Sequence, residues 1–424
     1  MDDPITRCQL PNGLTVLLKE IRTSPIVSQW IWYRTGSRDE ISGKTGICHW
    51  CEHMMFKGTQ QFPAGVLDRL ISRDGGYWNA FTFMDWTTYF ETMPCEKIDL
   101  TLRLEADRMV NSLFETEEVD SERTVIISER QGEENDPLFR LSEEVHAAAF
   151  RVHPYHHEIV GDLADLQSMQ RDDLYRHYRT YYQPNNAVLT LAGDFEAGQM
   201  LGRIQDLYAG LPAGMEVPRL KRPEPPQTGE RRLVVEGPGE TTYIQVSYRA
   251  PAGSDPDFFP YTALDSLLTG PSNLNMFGGG ISNKTSRLYQ ALVEKELAVS
   301  VYGGLSATID PYLYTINLTV HPSATVEQCL AALEGEIVRL QDTPPQPDEL
   351  TRAVKQARAL FAYGSESISN QGFWLGFAEM FASYGWFLEY VERLAKVTPE
   401  DVQRIAQTCL LPQARTLGIY FPTG

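Results

Sequence analysis

Residues 48–59, CHWCEHMMFKGT, bring two cysteines, two histidines and a glutamate into six consecutive positions. Such a run suits three chemistries: a thiol redox pair, a structural metal knot and a hydrolytic metal centre. They differ in which side chains must share a face. On a helix, positions i, i+3 and i+4 lie together, so His49, Glu52 and His53 point the same way, and two imidazoles one turn apart can grip a single Zn²⁺. Glu52 then stands beside the metal rather than on it, placed to take a proton from water that zinc activates near neutral pH. Cys48 and Cys51 lie one turn apart on a neighbouring stripe. A haem attachment would need a histidine directly after the second cysteine, and Glu52 follows instead. A thioredoxin-like pair and simple burial both stay open for the thiols, as does an ordinary core or surface role for the histidines.

Two histidines leave a zinc site short of ligands, so a carboxylate from another element should complete it. The run EEVDSERTVIISERQGEENDP reads as a helix that stops before Pro137. Within it Glu122 and Glu129 are seven residues apart, hence on one face, together with Ile126. A carboxylate among apolar neighbours needs a partner in order to be buried. Glu133 and Glu134, towards the end of the helix, are expected to be solvated. Spacing alone does not decide which glutamate of so acidic a helix is a ligand, or whether any is.

The elements that must hold these residues belong to a chain of 424 residues, 42% hydrophobic and 22% charged. That is about two globular domains. No run of some 18 apolar residues is present to span a membrane. The net charge of −19 argues against nucleic acid and anionic membrane surfaces as partners. Six scattered cysteines do not make a disulfide scaffold. The start, MDDPITRCQLPNGLTVLLKE, is acidic and runs straight into strand-like sequence, unlike a basic presequence. The expected location is the cytoplasm.

The proline-rich stretch GLPAGMEVPRLKRPEPPQTGE suits an extended linker, and we place the domains at 1–212 and 231–424 with the linker at 213–230. The same order of elements recurs on either side. VSQWIWYRTGSRDE, from Val27, and IQVSYRAPAGSDPD, from Ile244, are strand-like runs ending in Gly-Ser, 217 residues apart. YRTYYQPNNAVLTLAGDF and AQTCLLPQARTLGIYF both run helix, proline turn, strand. The repeat favours two α+β domains of related topology. In the first, ITRCQLPNGLTVLLKE reads as two strands about Pro11-Asn12-Gly13, and TGICHWCEHMMFKGT as a helix up to Gly58.

These motifs, in this order, resemble the pitrilysin/insulinase-type zinc peptidases, above all the group of the mitochondrial processing peptidase and its bacterial relatives. GICHWCEHMMFKGT is similar to that family's G-x-x-H-x-x-E-H-M-x-F-K-G-T, and SERTVIISERQGEENDP to its downstream glutamate helix. GGYWNAFTFMDWTTYF and HPYHHEIVGD resemble two further family segments. The resemblance covers essentially the whole chain. It implies an α+β fold of two homologous domains, each a mainly antiparallel sheet with helices packed on one side. It implies His49, His53 and Glu129 as ligands of one Zn²⁺ per chain, with Glu52 as general base. Glu122 becomes a carboxylate orienting a ligand. The strand around Asn79, Ala80 and Phe81 becomes the edge that pairs with substrate, which agrees with its strand-forming composition. Ordinary sheet packing is the plainer role for Trp78, Phe81 and Phe83. His153, His156 and His157 become structural.

One segment departs from the family. Relatives that act alone carry an arginine and a tyrosine in their second half that reach the substrate. Here SRLYQALVEKELAVSV has Val293 and Val299 at those places and one residue fewer between. Tyr302, three residues on in a strand, is expected on the opposite face. The segment 270–286, TGPSNLNMFGGGISNKTSRL in context, resembles the glycine-rich loop of the processing peptidase's non-catalytic subunit and suits a tether or a flap. The resulting expectation is a zinc endopeptidase acting on peptides or unfolded segments, as catalytic subunit of a heterodimer whose homologous, zinc-free partner supplies the Arg/Tyr pair. The rivals are a non-catalytic core subunit of a larger complex and a thiol protein using Cys48 and Cys51.

Overall fold

The computed structural model describes residues 5–423; the outermost ends of the expected domains, residues 1–4 and 424, lie outside them. Among the described residues eleven strands form two sheets. The first contains β1 (Ile5–Gln9), β2 (Thr15–Glu20), β3 (Ile26–Tyr33), β4 (Tyr77–Thr82), β5 (Thr87–Pro94) and β6 (Ala187–Gly193), in the order β1-β2-β6-β3-β5-β4. The second contains β7 (Arg231–Gly237), β8 (Tyr243–Ala250), β9 (Ala298–Leu305), β10 (Tyr312–Val320) and β11 (Thr416–Pro422), in the order β7-β11-β8-β10-β9.

Leaving out β1, the two orders are the same, and so are the senses: β2 with β6 and β7 with β11 are parallel, and the remaining pairs antiparallel. β3 and β8 begin 217 residues apart, the offset read from the sequence. Both sheets are mainly antiparallel, and each ends in an edge strand, β4 in one and β9 in the other.

The chain forms two compact units, each drawn from three segments. One comprises Met1–Gln131, His157–Arg222 and Glu366–Tyr384; the other Gly132–His156, Pro223–Ser365 and Gly385–Gly424. The stretch 213–230 contains no helix or strand. Among the described residues no helix is long and apolar enough to cross a membrane.

The reason for this partition is visible in β3, IVSQWIWY, where every residue after the first is buried. A strand with two apolar faces needs cover on both. Helices from its own half take the odd-numbered face: Gln29 Nε2 donates to the carbonyl of Thr101 in helix Ile98–Asn111, and Tyr33 packs on Tyr182. The even-numbered face, with Trp30 and Trp32, is covered by helix Ile368–Phe381 from the far half of the sequence. Phe373 meets both indoles edge-on at 5.6 and 5.5 Å. In return, helix Pro137–Ala149 lies on β7, β8 and β11, where Leu141 and Val145 pack on Tyr420. Each sheet therefore has its own half's helices on one face and one exchanged helix on the other.

Close approach of helix Ile368–Phe381 depends on Gly372 and Gly376, since a Cβ on either would overlap the Trp30 or Trp32 ring. Gly376→Ala should therefore lower stability by roughly 1–3 kcal/mol through overpacking. The measurement is the midpoint of denaturant unfolding; an unshifted midpoint would show that this face has room to spare.

Candidate metal centre

The site is built on helix Ile47–Met54, and its geometry begins with how that helix starts. Gly46 precedes it in the left-handed region at φ +84. Glu40, buried, accepts the N–H of Gly46 at 2.8 Å and of Cys48 at 2.9 Å, one on each carboxylate oxygen. Burial drives its pKa up to about 8, while the two N–H bonds pull it back. Gly161, at φ +85, rests against Thr45 and Gly46 so closely that any Cβ there would overlap them. Asp162 N donates to Thr45 Oγ1 at 2.8 Å, and Thr45 Oγ1 to Asp165 at 2.8 Å. Of the histidines of HPYHHEIVGD, His157 stands at this clamp and the other two make contacts of their own. His157 Nδ1 lies 3.7 Å from Glu40, His156 Nδ1 2.9 Å from the carbonyl of His153, and His153 Nε2 3.1 Å from Asp310.

With its start fixed, the helix presents His49, Glu52 and His53 together. Helix Thr116–Glu133 runs past them and contributes Glu122 and Glu129. Among the described residues, the group able to hold an ion is His49, His53 and Glu129, whose ligand atoms all lie within 4.8 Å of one another. Glu129 Oε2 is 3.8 Å from His49 Nε2 and 3.7 Å from His53 Nε2. Those separations are too long for hydrogen bonds. They are close to the ~3.4 Å between neighbouring ligands on a tetrahedral Zn²⁺ with bonds of about 2.1 Å. A neutral His₂ pair with one carboxylate is also the donor set such an ion takes.

The two imidazoles are held differently. His53 Nδ1 is 2.8 Å from Glu122 Oε1, and Glu122 also ion-pairs with Lys57. Burial pulls the His53 pKa down, but Glu122, Glu52 and Glu129 outweigh it and leave it raised. Burial pushes Glu122 up, and its bonds to His53 and Lys57 outweigh that, leaving it lowered. Glu122 thus orients His53 as a carboxylate, the usual arrangement behind a metal-bound imidazole. His49 Nδ1 has no hydrogen-bond partner among the described residues, so packing orients that ring. Burial and the neighbouring His53 take the His49 pKa down to about 3, which keeps it neutral.

Glu52 is 7% exposed. Burial raises its pKa to about 7, opposed by a hydrogen bond from Thr82. Thr82 ends β4, the edge strand beside the helix. On β4, Asn79 Oδ1 accepts the N–H of Ala80 at 2.9 Å, a bond outside the β5 ladder. Phe81 stacks with Phe90, Trp78 packs at a tilt on Phe56, and Phe83 stacks on Trp86, so these aromatics are part of sheet and site packing.

The cysteines take no such part. Cys48 and Cys51 are fully buried free thiols, and burial first, with Glu40 second, pushes both pKa values well above the usual range. A reactive cysteine needs an electropositive, accessible setting, and theirs is the reverse.

Sequence reasoning passed over Lys57, Thr82 and Glu40. The first two stand inside motifs quoted above, so their place in a motif was the available signal; Glu40 gave none, because its partners are backbone groups. Tyr302 does not lie on the face opposite Val299. The β9–β10 register slips between Thr319 and Val320, so Val299 is the extra residue of a bulge. Ala298 and Val301 are buried while Val299 and Tyr302 are 56% and 44% exposed. Val299 and Tyr302 share the open side after all. Glu296, just before β9, sits at φ +57, in the left-handed region, where this chain is one residue short of the family pattern. The glycine-rich segment is tied at several points: Asn275 Nδ2 donates to Gly364 O at 2.6 Å and Asn283 Nδ2 to Val301 O at 2.8 Å.

Comparison with known proteins agrees with this fold. Residues 15–163 match the family model for Insulinase (Peptidase family M16), and residues 168–357 the model for the Peptidase M16 inactive domain. The chain is 29% identical over 385 residues to zinc protease PqqE of Helicobacter pylori, covering 88% of this chain and 82% of that protein. It is 26% identical over 402 residues to a probable mitochondrial-processing peptidase subunit beta of Arabidopsis thaliana, covering 94% and 74%. The crystal structure of a protease from Helicobacter pylori superposes with a TM-score of 0.91 at 25% identity, covering 99% of this chain and 100% of that one. The chain belongs to the insulinase-type peptidase family M16.

Glu40 offers a check on the clamp. A carboxylate whose folded pKa is raised contributes stability at acid pH and loses it as pH rises towards the folded value, here about 8. Cys48, Asp39 and His157 face it, and Asp39, raised to about 6 by burial, acts in the same direction. Glu40→Gln cannot ionise, so its unfolding free energy should fall less steeply between about pH 5 and 8 than that of the native chain. Urea melts across this range measure the slope; equal slopes would clear Glu40.

Proposed function

We propose that this chain is a metalloendopeptidase holding one Zn²⁺ on His49, His53 and Glu129. The observation that carries the reading is the convergence of those three side chains from two helices, with Glu52 buried beside them on the same helix face. Relatives named as zinc proteases support the choice of metal. A Zn²⁺ held there supplies the Lewis acidity that polarises a peptide carbonyl and makes water a nucleophile near neutral pH. Glu52 takes the proton of the attacking water and returns it to the leaving amine. Glu122, fixed by Lys57, keeps the His53 ring turned to the ion. The open edge of β4, at Asn79, Ala80 and Phe81, pairs with an extended peptide, which favours peptides and unfolded segments as substrates. Six free thiols fit a reducing compartment such as the cytoplasm.

A non-catalytic core role is the weaker reading, because the full ligand set and its orienting carboxylate are present. Thiol chemistry is weaker still, given the buried, strongly raised thiols. Glu52→Gln should keep its metal and lose on the order of 10²–10⁴ in turnover, whereas Glu129→Gln should lose metal. Metal analysis alongside a peptide-cleavage assay reads both; near-normal turnover in Glu52→Gln removes the base role, and full metal in Glu129→Gln removes the ligand.

The partner in this proposal is a homologous subunit without the His-x-x-Glu-His motif, supplying an arginine and a tyrosine. Val293 and Val299 cannot donate a hydrogen bond to a developing oxyanion, and losing one such donor costs about 10²–10³ in rate. Cleavage should rise by about that 10²–10³ factor when a homologue from the same source is added, with a complex of two chains by mass. Full activity of the chain alone, with no gain on adding such a homologue, would remove the partner.

A further inference from the structure

We infer that Thr82 is a positioning residue for Glu52: its hydroxyl holds one carboxylate oxygen so that the other faces the water whose proton is removed. The inference rests on the reading of Glu52 as proton carrier. Thr82 Oγ1 donates to Glu52 Oε2 at 2.7 Å. A hydroxyl has one proton to give, and the competing acceptor is weaker: Thr87 Oγ1 is 3.4 Å away. Thr87 gives its own proton to the carbonyl of Thr35 at 3.0 Å, so it does not compete to donate to Glu52. The direction of the Thr82 bond is therefore fixed by its surroundings.

The bond matters because the terminal torsion of a glutamate is broad and nearly two-fold. Unheld, the carboxylate of Glu52 would turn between two equivalent orientations. A donor on Oε2 selects one plane and leaves Oε1 as the acceptor. The donor is also the last residue of β4, three positions after Asn79. One short strand thus carries both the edge proposed to pair with peptide and the hydroxyl that aims the base, so the register of a bound peptide and the direction of Glu52 are set by the same element.

The test compares Thr82→Val, which keeps the shape and removes the donor, with Thr82→Ser, which keeps the donor, in the metal-loaded chain (with its partner if one is needed). Metal content, kcat and KM for one peptide are measured for each. Thr82→Val should lose kcat by on the order of 10- to 100-fold, the scale of a hydrogen bond to a charged group, with KM and metal unchanged. Thr82→Ser should stay near the native values. Combined with Glu52→Gln, Thr82→Val should cause no further loss. Native kcat in Thr82→Val, equal losses in Val and Ser, or a loss that follows KM or metal content would each overturn the inference. If Thr82→Val fails to fold, Thr82→Ala against Thr82→Ser makes the same comparison. A native kcat in Thr82→Val with Glu52→Gln inactive fails this inference alone; an active Glu52→Gln fails the underlying reading instead.

Discussion

The site depends on where one short helix begins. Glu40 accepts the two N–H groups that define the first turn of helix Ile47–Met54, and Gly46 and Gly161 close the space around it. A helix turns about 100° per residue, so a start displaced by one residue would swing His49 and His53 off the face that meets Glu129. With eight residues, the helix is too short to be stable by itself. Its phase comes from outside, from a carboxylate nine residues before His49 and a loop more than a hundred residues after it.

The same economy governs the other acids. Glu40, Glu52 and Glu122 are all buried, and a buried carboxylate without partners is costly. Each is met differently. Glu40 has backbone N–H groups, Glu122 has Lys57 and His53, and Glu52 has the Thr82 hydroxyl with the charges of His53 and Arg108 nearby. Burial leaves Glu52 raised to about 7, close to neutral pH, which suits the group proposed to exchange protons. Beneath them Arg108, fully buried, lies between Glu91 and Glu105 and over the ring of Tyr89. That network joins helix Ile98–Asn111 to β5, the neighbour of β4.

Duplication explains the scaffold and its asymmetry. The two sheets share strand order, sense and offset, and each takes one covering helix from the other half of the chain. Such an exchange makes each core incomplete without distant sequence: Trp30 and Trp32 have no cover until Gly372, Phe373 and Gly376 arrive. The His-x-x-Glu-His pattern stands in one copy only. At the same 217-residue offset from His49 and His53 stand Ser266 and Gly270, which offer no imidazole.

Much of the site was legible in the sequence because helical spacing is a local rule. The i, i+3 and i+4 positions of His49, Glu52 and His53 define a shared face wherever the helix sits, and the seven-residue step from Glu122 to Glu129 does the same on its own helix. The duplication was legible too, from strand runs and Gly-Ser ends at a fixed offset. Spacing did not say which glutamate meets the histidines through which atom, because helix Thr116–Glu133 acquires its rotation only by packing. Tertiary structure put Glu122 on Nδ1 of His53 and Glu129 opposite both Nε2 atoms. It also decided what no periodicity encodes: the capping by Glu40, the aim given by Thr82, and the bulge at Val299. Strand alternation put Tyr302 on the wrong face because a single unpaired residue resets the period, and a bulge is set by pairing with β10 rather than by the strand's own residues. The exchanged helices follow the same logic. Sequence showed β3 as a strand-like run, but only the folded chain shows that both its faces are buried and which helix covers the second.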